Sequence, residues 1–178
     1  MVEIGTGFGY SALWIAAGAI AARSAEAELF TVDDHSEGEL GYQGLRFARE
    51  ICQQANVSRV VRFVHGRSPD VLKAILEGRM LDFAFIDGNH HGGQPYADFH
   101  ALSMFTHKKS IIAWHDVDTR YTVPDAFERA CSEGWTGQIL NTSCRLGVSF
   151  ASQEHQRLIS DAFEAACRLA LLNTSSSG

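Results

Sequence analysis

Acidic and imidazole side chains follow two apolar segments in the second half of the chain. Asp87 and His90 come after residues 81–86, and His115 and Asp116 come after residues 110–114. If both segments are neighbouring parallel strands, their carboxyl ends meet at the sheet edge where open α/β folds bind ligands. Buried carboxylates placed side by side need a cation or a proton between them. Carboxylate oxygens with an open coordination position suit Mg²⁺, and histidine can accept a proton near neutral pH.

Each of these residues also has a simpler interpretation when it is considered alone. Asp87 and Asp116 could cap the segments that follow them, and His90 and His91 could be surface histidines. As a set at the predicted ligand-binding edge, however, the residues favour an active site.

A glycine-rich turn near the start of the chain is the second candidate for ligand binding. Residues 3–11 have the sequence EIGTGFGYS, with glycines at positions 5, 7 and 9. Glycine readily adopts positive φ angles and lets backbone N–H groups approach a ligand closely. The dinucleotide fingerprint G-x-G-x-x-G is not met, because Tyr10 stands at the third glycine position. A nicotinamide-dependent dehydrogenase is therefore disfavoured.

Strand and helix patterns alternate along the chain and predict βαβ units around a parallel sheet. The predicted strands are 1–4, 28–33, 60–64, 81–86, 110–114, 137–140 and 145–150. The predicted helices are 10–23, 43–56, 70–77, 94–105, 124–133 and 153–172. Ser68 and Pro69 predict the start of the third helix, with Ser68 as its N-cap.

The length, composition and net charge of the chain limit the classes of protein to which it can belong. A chain of 178 residues with 46% hydrophobic residues predicts one soluble, cytoplasmic globular domain. A net charge of −6 argues against a nucleic-acid backbone as the main partner. The apolar run at residues 12–22 is too short to cross a membrane and has no basic segment before it. We therefore expect a core helix there and no membrane partner.

Three motifs together resemble class I S-adenosylmethionine-dependent methyltransferases. They are E-x-G-x-G-x-G at 3–9, IDGNH at 86–90 followed by Asp98-Phe99, and AWHDV at 113–117. The resemblance is to the macrocin-type O-methyltransferases that act on sugars of natural products, and more broadly to relatives of catechol O-methyltransferase. It implies an α/β, Rossmann-like, doubly wound fold. The sheet would be mostly parallel and seven-stranded, with an antiparallel last strand and helices on both faces.

The resemblance also implies a domain organisation. It runs from Val2 to about Phe150, and we expect a single methyltransferase domain at 1–172 with a disordered tail at 173–178. We expect this domain to lack the helices that, in the family, usually precede the first strand and help to cover the active site. The last predicted helix, or a second subunit of a homo-oligomer, could supply that cover.

The resemblance implies roles for individual residues. S-adenosylmethionine would be bound by Glu3, Gly5, Thr6, Gly7, Gly9, Tyr10, Ser11, Asp33, Asp34, Arg67, Ser68 and Asp87. Asp33 is favoured over Asp34 as the acceptor of the ribose hydroxyls because it ends the second strand. Ser68 would lie near the adenine, although its N-cap role is the simpler explanation.

The implied catalytic group combines a metal site with a general base. Asp87, His115 and Asp116 would be the ligands of Mg²⁺, and His90 would be the general base. His115 departs from the family pattern, since many relatives have an acidic or amide ligand at this place, and imidazole is a poor ligand for Mg²⁺.

These roles predict methyl transfer to a hydroxyl of a small molecule such as a sugar or a catechol. One alternative is a non-catalytic S-adenosylmethionine-binding module, which the missing cover suggests. Another is a cephalosporin-hydroxylase-like enzyme, whose iron would need His90, His115 and an acid as ligands. No H-x-D pair supports that second alternative.

Overall fold

One seven-stranded sheet organises the protein. The computed structural model describes residues 1–24, 26–36, 38–157 and 161. The strands are β1 (Val2–Ile4), β2 (Leu29–Asp33), β3 (Val61–His65), β4 (Leu81–Ile86), β5 (Thr106–Trp114), β6 (Thr136–Leu140) and β7 (Leu146–Phe150). Their order is β3-β2-β1-β4-β5-β7-β6, with β1 to β5 parallel and β7 antiparallel to both its neighbours. This confirms the predicted doubly wound fold with an antiparallel last strand.

Within the described residues, five α-helices connect these strands. They are α1 (Tyr10–Ala21), α2 (Glu39–Gln54), α3 (Leu72–Leu76), α4 (Gln94–Ser103) and α5 (Val123–Ser132). A 3₁₀ turn at Gln153–His155 lies at the start of the predicted helix 153–172. The rest of that prediction falls mostly outside the described residues, as does the predicted tail 173–178. None of the described helices is long and apolar enough to cross a lipid bilayer.

The largest errors of the sequence prediction are at element starts. Helix α2 begins at Glu39 instead of residue 43, and β5 begins at Thr106 instead of residue 110. The predicted N-cap at Ser68 is wrong, since α3 begins at Leu72 with Val71 in the capping position. The Ser68 hydroxyl instead donates to Oδ1 of Asp98, 2.6 Å away. The hydrogen bond to buried Asp98, thirty residues along the chain, thus takes the place of the predicted capping hydrogen bond.

The sheet is covered on both faces by separate apolar clusters. On one face, buried side chains of α3, α4 and α5 pack against β1, β4 and β5 around Phe99, Trp114 and Phe127. On the other face, Ala12 and Cys52 of α1 and α2 pack against β2 and β3. The indole N–H of Trp114 donates to the Ser149 hydroxyl at 2.9 Å, so β5 and β7 are joined by a buried side-chain hydrogen bond. Burying these apolar surfaces is the main driving force for the fold.

The register of the central strands brings distant parts of the chain together. Ile4 of β1 pairs with Ile86 of β4, and Ile86 pairs with Trp114 of β5. Directly beyond these pairs, the Asp87 N–H donates to the Ile4 carbonyl at 2.9 Å, and the His115 N–H donates to the Ile86 carbonyl at 3.0 Å. The glycine turn, Asp87 and His115 therefore meet at one edge of the sheet.

Candidate active site

A cavity of about 790 Å³ opens at this edge. Its volume lies within the range of roughly 300–1,000 Å³ that is usual for small-molecule sites. The predicted cofactor residues that line it are Gly5, Thr6, Gly7, Gly9, Tyr10, Ser11, Asp33, Asp34, Arg67, Ser68 and Asp87. Residues from three different strand ends and one turn thus share a single cavity, and Glu3 is the one predicted cofactor residue that does not line it.

The glycine turn owes its shape to two glycines with positive φ angles. Gly5 has φ +95°, and a Cβ atom there would overlap the carbonyl oxygen of Asp87. Gly9 has φ +77°, and its Cβ would lie 2.5 Å from the Cβ of Ala48 in α2. Any larger residue at either position would push the turn away from β4 or α2. The turn can therefore lie close to both elements only because these residues lack a side chain.

Asp33 ties the end of β2 to the glycine turn. Its Oδ2 accepts the Gly7 N–H at 3.0 Å, and its Oδ1 accepts the His35 N–H at 2.8 Å. Each carboxylate oxygen can accept a second hydrogen bond. The Asp33 side chain is 21% exposed and lines the cavity. It can therefore still accept the hydroxyls of a bound sugar.

Glu3 lies behind the turn, fully buried. Its Oε2 accepts the Thr31 hydroxyl at 2.5 Å, and Thr31 in turn lies 2.7 Å from the Thr6 hydroxyl. Burial raises the pKa of Glu3 to about 7, despite hydrogen bonds from Ser11 and Thr31. Glu3 thus supports the turn from the interior without lining the cavity, and its contact with the cofactor stays a prediction.

Among the cavity residues to which the sequence analysis assigned no role are His35, Gln94 and Asp98, the last of which was quoted only as part of a motif. Asp98 is 1% exposed, and its Oδ1 accepts hydrogen bonds from Ser68 (2.6 Å) and Gln94 (2.8 Å). Its Oδ2 has no partner among the described residues. Burial raises the pKa of Asp98 to about 6. A sequence signal did exist, because Asp98 stands on the otherwise apolar buried face of α4.

A histidine–aspartate cluster adjoins the cavity at Asp87. Oδ1 of Asp87 lies 3.0 Å from Nδ1 of His115 and 3.3 Å from Nε2 of His90. Asp116 lies on the other side, with Oδ2 3.5 Å from Nδ1 of His90 and Oδ1 3.5 Å from Nδ1 of His115. All four residues of this cluster were predicted from the sequence as catalytic or metal-binding, and they lie together.

The charges of the cluster influence one another. The Asp87 carboxylate raises the pKa of His115 above its ordinary value. Burial favours the neutral form of Asp87, but the nearby His115 and His90 outweigh this effect and hold the pKa of Asp87 below its ordinary value. Asp87 is therefore a carboxylate at neutral pH.

Neighbouring loops hold the cluster in place. Asp116 has φ +52°, a backbone conformation that is uncommon outside glycine and more frequent for aspartate. The Tyr121 ring packs edge-on against His90, with 5.1 Å between ring centroids. The Thr122 hydroxyl donates to the carbonyls of His90 (3.0 Å) and Gly92 (2.8 Å). The loops after β4 and β5 are thus fastened to each other beside the cluster.

The donor atoms of the cluster fit the predicted Mg²⁺ poorly. Three ligand atoms, one each from Asp87, His90 and His115, lie within 4.8 Å of one another, so this set has His90 where the sequence predicted Asp116. Two of them are imidazole nitrogens, whereas Mg²⁺ takes oxygen ligands and keeps several waters. No catalytic step is therefore assigned to Mg²⁺.

Comparison with known families adds to this geometry. The profile of a methyltransferase-domain family matches residues 2–117, which include the glycine turn, Asp33 and the whole cluster. The chain belongs to this methyltransferase family. It is accordingly an S-adenosylmethionine-dependent methyltransferase, and S-adenosylmethionine is its cofactor. Among curated proteins, none matches the sequence significantly.

Solved structures of O-methyltransferases share the fold. The enzyme from Bacillus cereus, solved with S-adenosylhomocysteine, is 22% identical with a TM-score of 0.67, over 84% of this methyltransferase and 72% of that chain. TomG from Streptomyces achromogenes, which takes part in tomaymycin synthesis, is 18% identical with a TM-score of 0.62, over 85% and 72%. A TDP-rhamnose 3'-O-methyltransferase of calicheamicin biosynthesis is 14% identical with a TM-score of 0.66, over 84% and 70%. At these identities the likeness establishes the fold.

Proposed function

We propose that this methyltransferase transfers the methyl group of S-adenosylmethionine to a hydroxyl of a small molecule. The observation that carries the proposal is the position of Asp87. Asp87 lines the cavity and also lies 3.0 and 3.3 Å from the two histidines of the cluster. The cofactor cavity and the groups that can handle a hydroxyl proton therefore meet at one side chain.

The cavity residues support one orientation of the cofactor. Asp33 would accept the ribose hydroxyls, as predicted from its place at the end of β2. The backbone of the glycine turn would then face the amino-acid end of the cofactor. Ser68, Gln94 and Asp98 form a hydrogen-bonded polar group that also lines the cavity, after β3 and on α4. This orientation would bring the sulfonium methyl group toward Asp87.

Methyl transfer is an in-line displacement in which the S–CH₃ bond breaks as the O–CH₃ bond forms. S-adenosylhomocysteine leaves, and the hydroxyl proton must be taken up by the protein or by water. Histidine suits this task because its ordinary pKa lies near ~6.5. We assign the proton uptake to the histidine–aspartate cluster, with His90 as the predicted acceptor and Asp116 beside its Nδ1.

A sugar hydroxyl is the favoured acceptor, with a catechol as second choice. One neighbour of the same fold is a TDP-rhamnose 3'-O-methyltransferase, and the sequence resemblance is to sugar O-methyltransferases. Acceptor selection would depend on the loops after β4 and β5, since they border the cluster and are joined through Thr122. We also propose that residues 1–172 form one domain, because the described elements share a single sheet.

The experiment is a transfer assay with methyl-tritiated S-adenosylmethionine and a panel of nucleotide-linked deoxysugars, catechols and hydroxycinnamates. The account predicts label in at least one acceptor. His90→Gln should lower kcat by about 10²–10⁴-fold, the usual contribution of a positioned proton acceptor, with the Kd of S-adenosylhomocysteine unchanged. His91→Gln is the matched control, since His91 lies in the same loop but outside the cluster, and it should retain most of the activity.

Two outcomes would count against this proposal. If S-adenosylmethionine binds but no hydroxyl compound is labelled, a non-catalytic binding module becomes the better description. If His90→Gln keeps full turnover, the proton is taken up elsewhere.

A further inference from the structure

We propose that His90 Nε2, His115 Nδ1 and Asp87 Oδ1 bind one divalent transition-metal ion, of the class of Zn²⁺, Fe²⁺ or Co²⁺, in place of Mg²⁺. The inference rests on the proposed function, because it concerns the same site and the same hydroxyl substrate. It changes the part assigned to His90 from a free proton acceptor to a metal ligand.

Two of the three donor–donor distances suit a shared ion, and all three donor atoms lie within 4.8 Å of one another. Metal–ligand bonds of ~2.1 Å place neighbouring donor atoms about 3.0–3.4 Å apart in octahedral or tetrahedral sites. The observed separations from Asp87 Oδ1 are 3.0 Å to His115 Nδ1 and 3.3 Å to His90 Nε2. The three atoms come from two strand ends and one loop, so the sheet itself fixes their relative positions.

His90 Nε2 and His115 Nδ1 are both buried, and neither has a hydrogen-bond partner among the described residues. Each lies close to Asp87 Oδ1, yet neither has the alignment of a hydrogen bond. A simple ion pair would leave these buried groups poorly satisfied, which is costly. A metal ion would satisfy both nitrogens and the carboxylate together.

The orientation of His90 also fits a ligand better than a free base. Its buried Nε2 faces Asp87, and His90 itself does not line the cofactor cavity. Its second nitrogen, Nδ1, lies 3.5 Å from Oδ2 of Asp116. Metal-binding histidines commonly direct their other ring nitrogen toward a carboxylate, which fixes the ring and its tautomer. Asp116, predicted as a ligand, would then act as this positioning residue.

The types of the three donor atoms indicate which class of metal ion they would bind. Imidazole nitrogen combined with a single carboxylate suits Zn²⁺, Fe²⁺ and their first-row neighbours, whereas Mg²⁺ prefers oxygen ligands. Three protein ligands leave open positions for a substrate hydroxyl. An ion there would lower the pKa of that hydroxyl. Methyl transfer needs no change of oxidation state, so no oxidant or reductant is required.

Metal binding can be measured without any turnover. The full-length protein is depleted of metal with a chelator and then titrated with Co²⁺, Zn²⁺ and Mg²⁺, by calorimetry and by the visible absorption of bound Co²⁺. We expect one Co²⁺ or Zn²⁺ per chain, with a Kd at least about 100-fold lower than that of Mg²⁺. His90→Gln and His115→Asn should each weaken Co²⁺ binding at least about 100-fold, since even residues behind a ligand contribute about 10–100-fold.

The matched control is His107→Gln. His107 lies 3.1 Å from Asp82 at the opposite edge of β4 and β5, so it is a histidine–aspartate pair outside the cluster. Its replacement should leave the Co²⁺ affinity and absorption unchanged. The melting temperature of each variant establishes that it is folded.

Three results would overturn the inference: no tight Co²⁺ or Zn²⁺ site in the wild type, Mg²⁺ binding of equal strength, or Co²⁺ absorption that both histidine variants leave unchanged. The first two need only the wild type, so they hold even if a variant fails to fold. Labelled methyl transfer in the metal-free protein would preserve the proposed function and show that the metal is not needed for it. A bound metal without any methylated hydroxyl would do the opposite.

Discussion

Asp33 combines two tasks in one side chain. Its oxygens hold the Gly7 and His35 N–H groups at 3.0 and 2.8 Å and retain capacity for a ligand. Removing the carboxylate should therefore both loosen the turn and delete the ribose acceptor.

Asp33→Ala is expected to raise the Kd of S-adenosylhomocysteine about 100-fold or more in a calorimetric titration. This corresponds to losing charge-assisted hydrogen bonds worth about 1.5–3 kcal/mol each. Asp34→Ala is the control, since Asp34 follows the strand and its hydrogen bonds within the described residues are with the nearby Ser36. Equal losses in both variants would contradict the choice of Asp33.

Glu3 gives the protein an unusual dependence of stability on pH. Its folded-state pKa is about 7, against an ordinary 4.5, because it is buried. Between these values the folded state keeps a proton that the unfolded state releases, so the contribution of Glu3 to stability is present at low pH and is lost as pH rises through about 7. A shift of this size corresponds to about 3 kcal/mol.

Glu3→Gln removes this titration while keeping an acceptor for Thr31. The free energy of unfolding of the variant, relative to wild type, should rise by about 3 kcal/mol between pH 4.5 and pH 8. Urea unfolding across that range measures it. A difference that does not change with pH would mean that Glu3 titrates normally.

At the scale of elements, the glycine turn depends on close approach of β4 and α2. Gly5→Ala would force a side chain into the Asp87 carbonyl at a positive φ angle. We expect a loss of more than about 2 kcal/mol in unfolding free energy and no detectable S-adenosylhomocysteine binding.

Gly18→Ala is the matched comparison within the following helix. Gly18 lies in α1 with open space around its position. Alanine should stabilise the helix by about 0.5–1 kcal/mol and leave binding unchanged. If Gly5→Ala behaved like Gly18→Ala in denaturant unfolding, the turn would not need glycine.

The strand ends were predictable because local patterns define them. Apolar runs that stop at an acidic residue place Asp33, Asp87 and Asp116 near one edge in any parallel sheet, and the structure has that arrangement. Ser68 was misassigned because its partner, Asp98, lies on another helix. The direction of His90 Nε2 toward Asp87 was likewise not predictable, since side-chain rotamers depend on contacts such as Tyr121.

At the scale of the whole molecule, the cavity is open to solvent and is lined partly by apolar side chains. Phe8 and Tyr10 line the cavity and are 45% and 61% exposed. The Phe47 ring from α2 lies 6.0 Å from both of their rings. Ligand entry would thus bury aromatic surface that is exposed in the free protein.

Cofactor binding should stabilise the folded state as a unit. S-adenosylhomocysteine at 100 times its Kd should add about 2.7 kcal/mol, which raises the melting temperature by about 5–10 °C for a chain of this length. NAD⁺ at the same concentration should give no shift, because the turn lacks the third glycine of the dinucleotide fingerprint. Equal shifts with both ligands would contradict the assignment of the cavity.

The most direct test is to identify the atom that receives the methyl group. The protein is incubated with S-[methyl-¹³C]adenosylmethionine and a mixed set of hydroxyl, amine, thiol and carboxylate acceptors, and the product is analysed by ¹³C NMR. We predict a labelled methyl ether together with an equal amount of S-adenosylhomocysteine. A labelled N-methyl, S-methyl or methyl-ester product, with no ether, would contradict the proposed O-methylation of a hydroxyl.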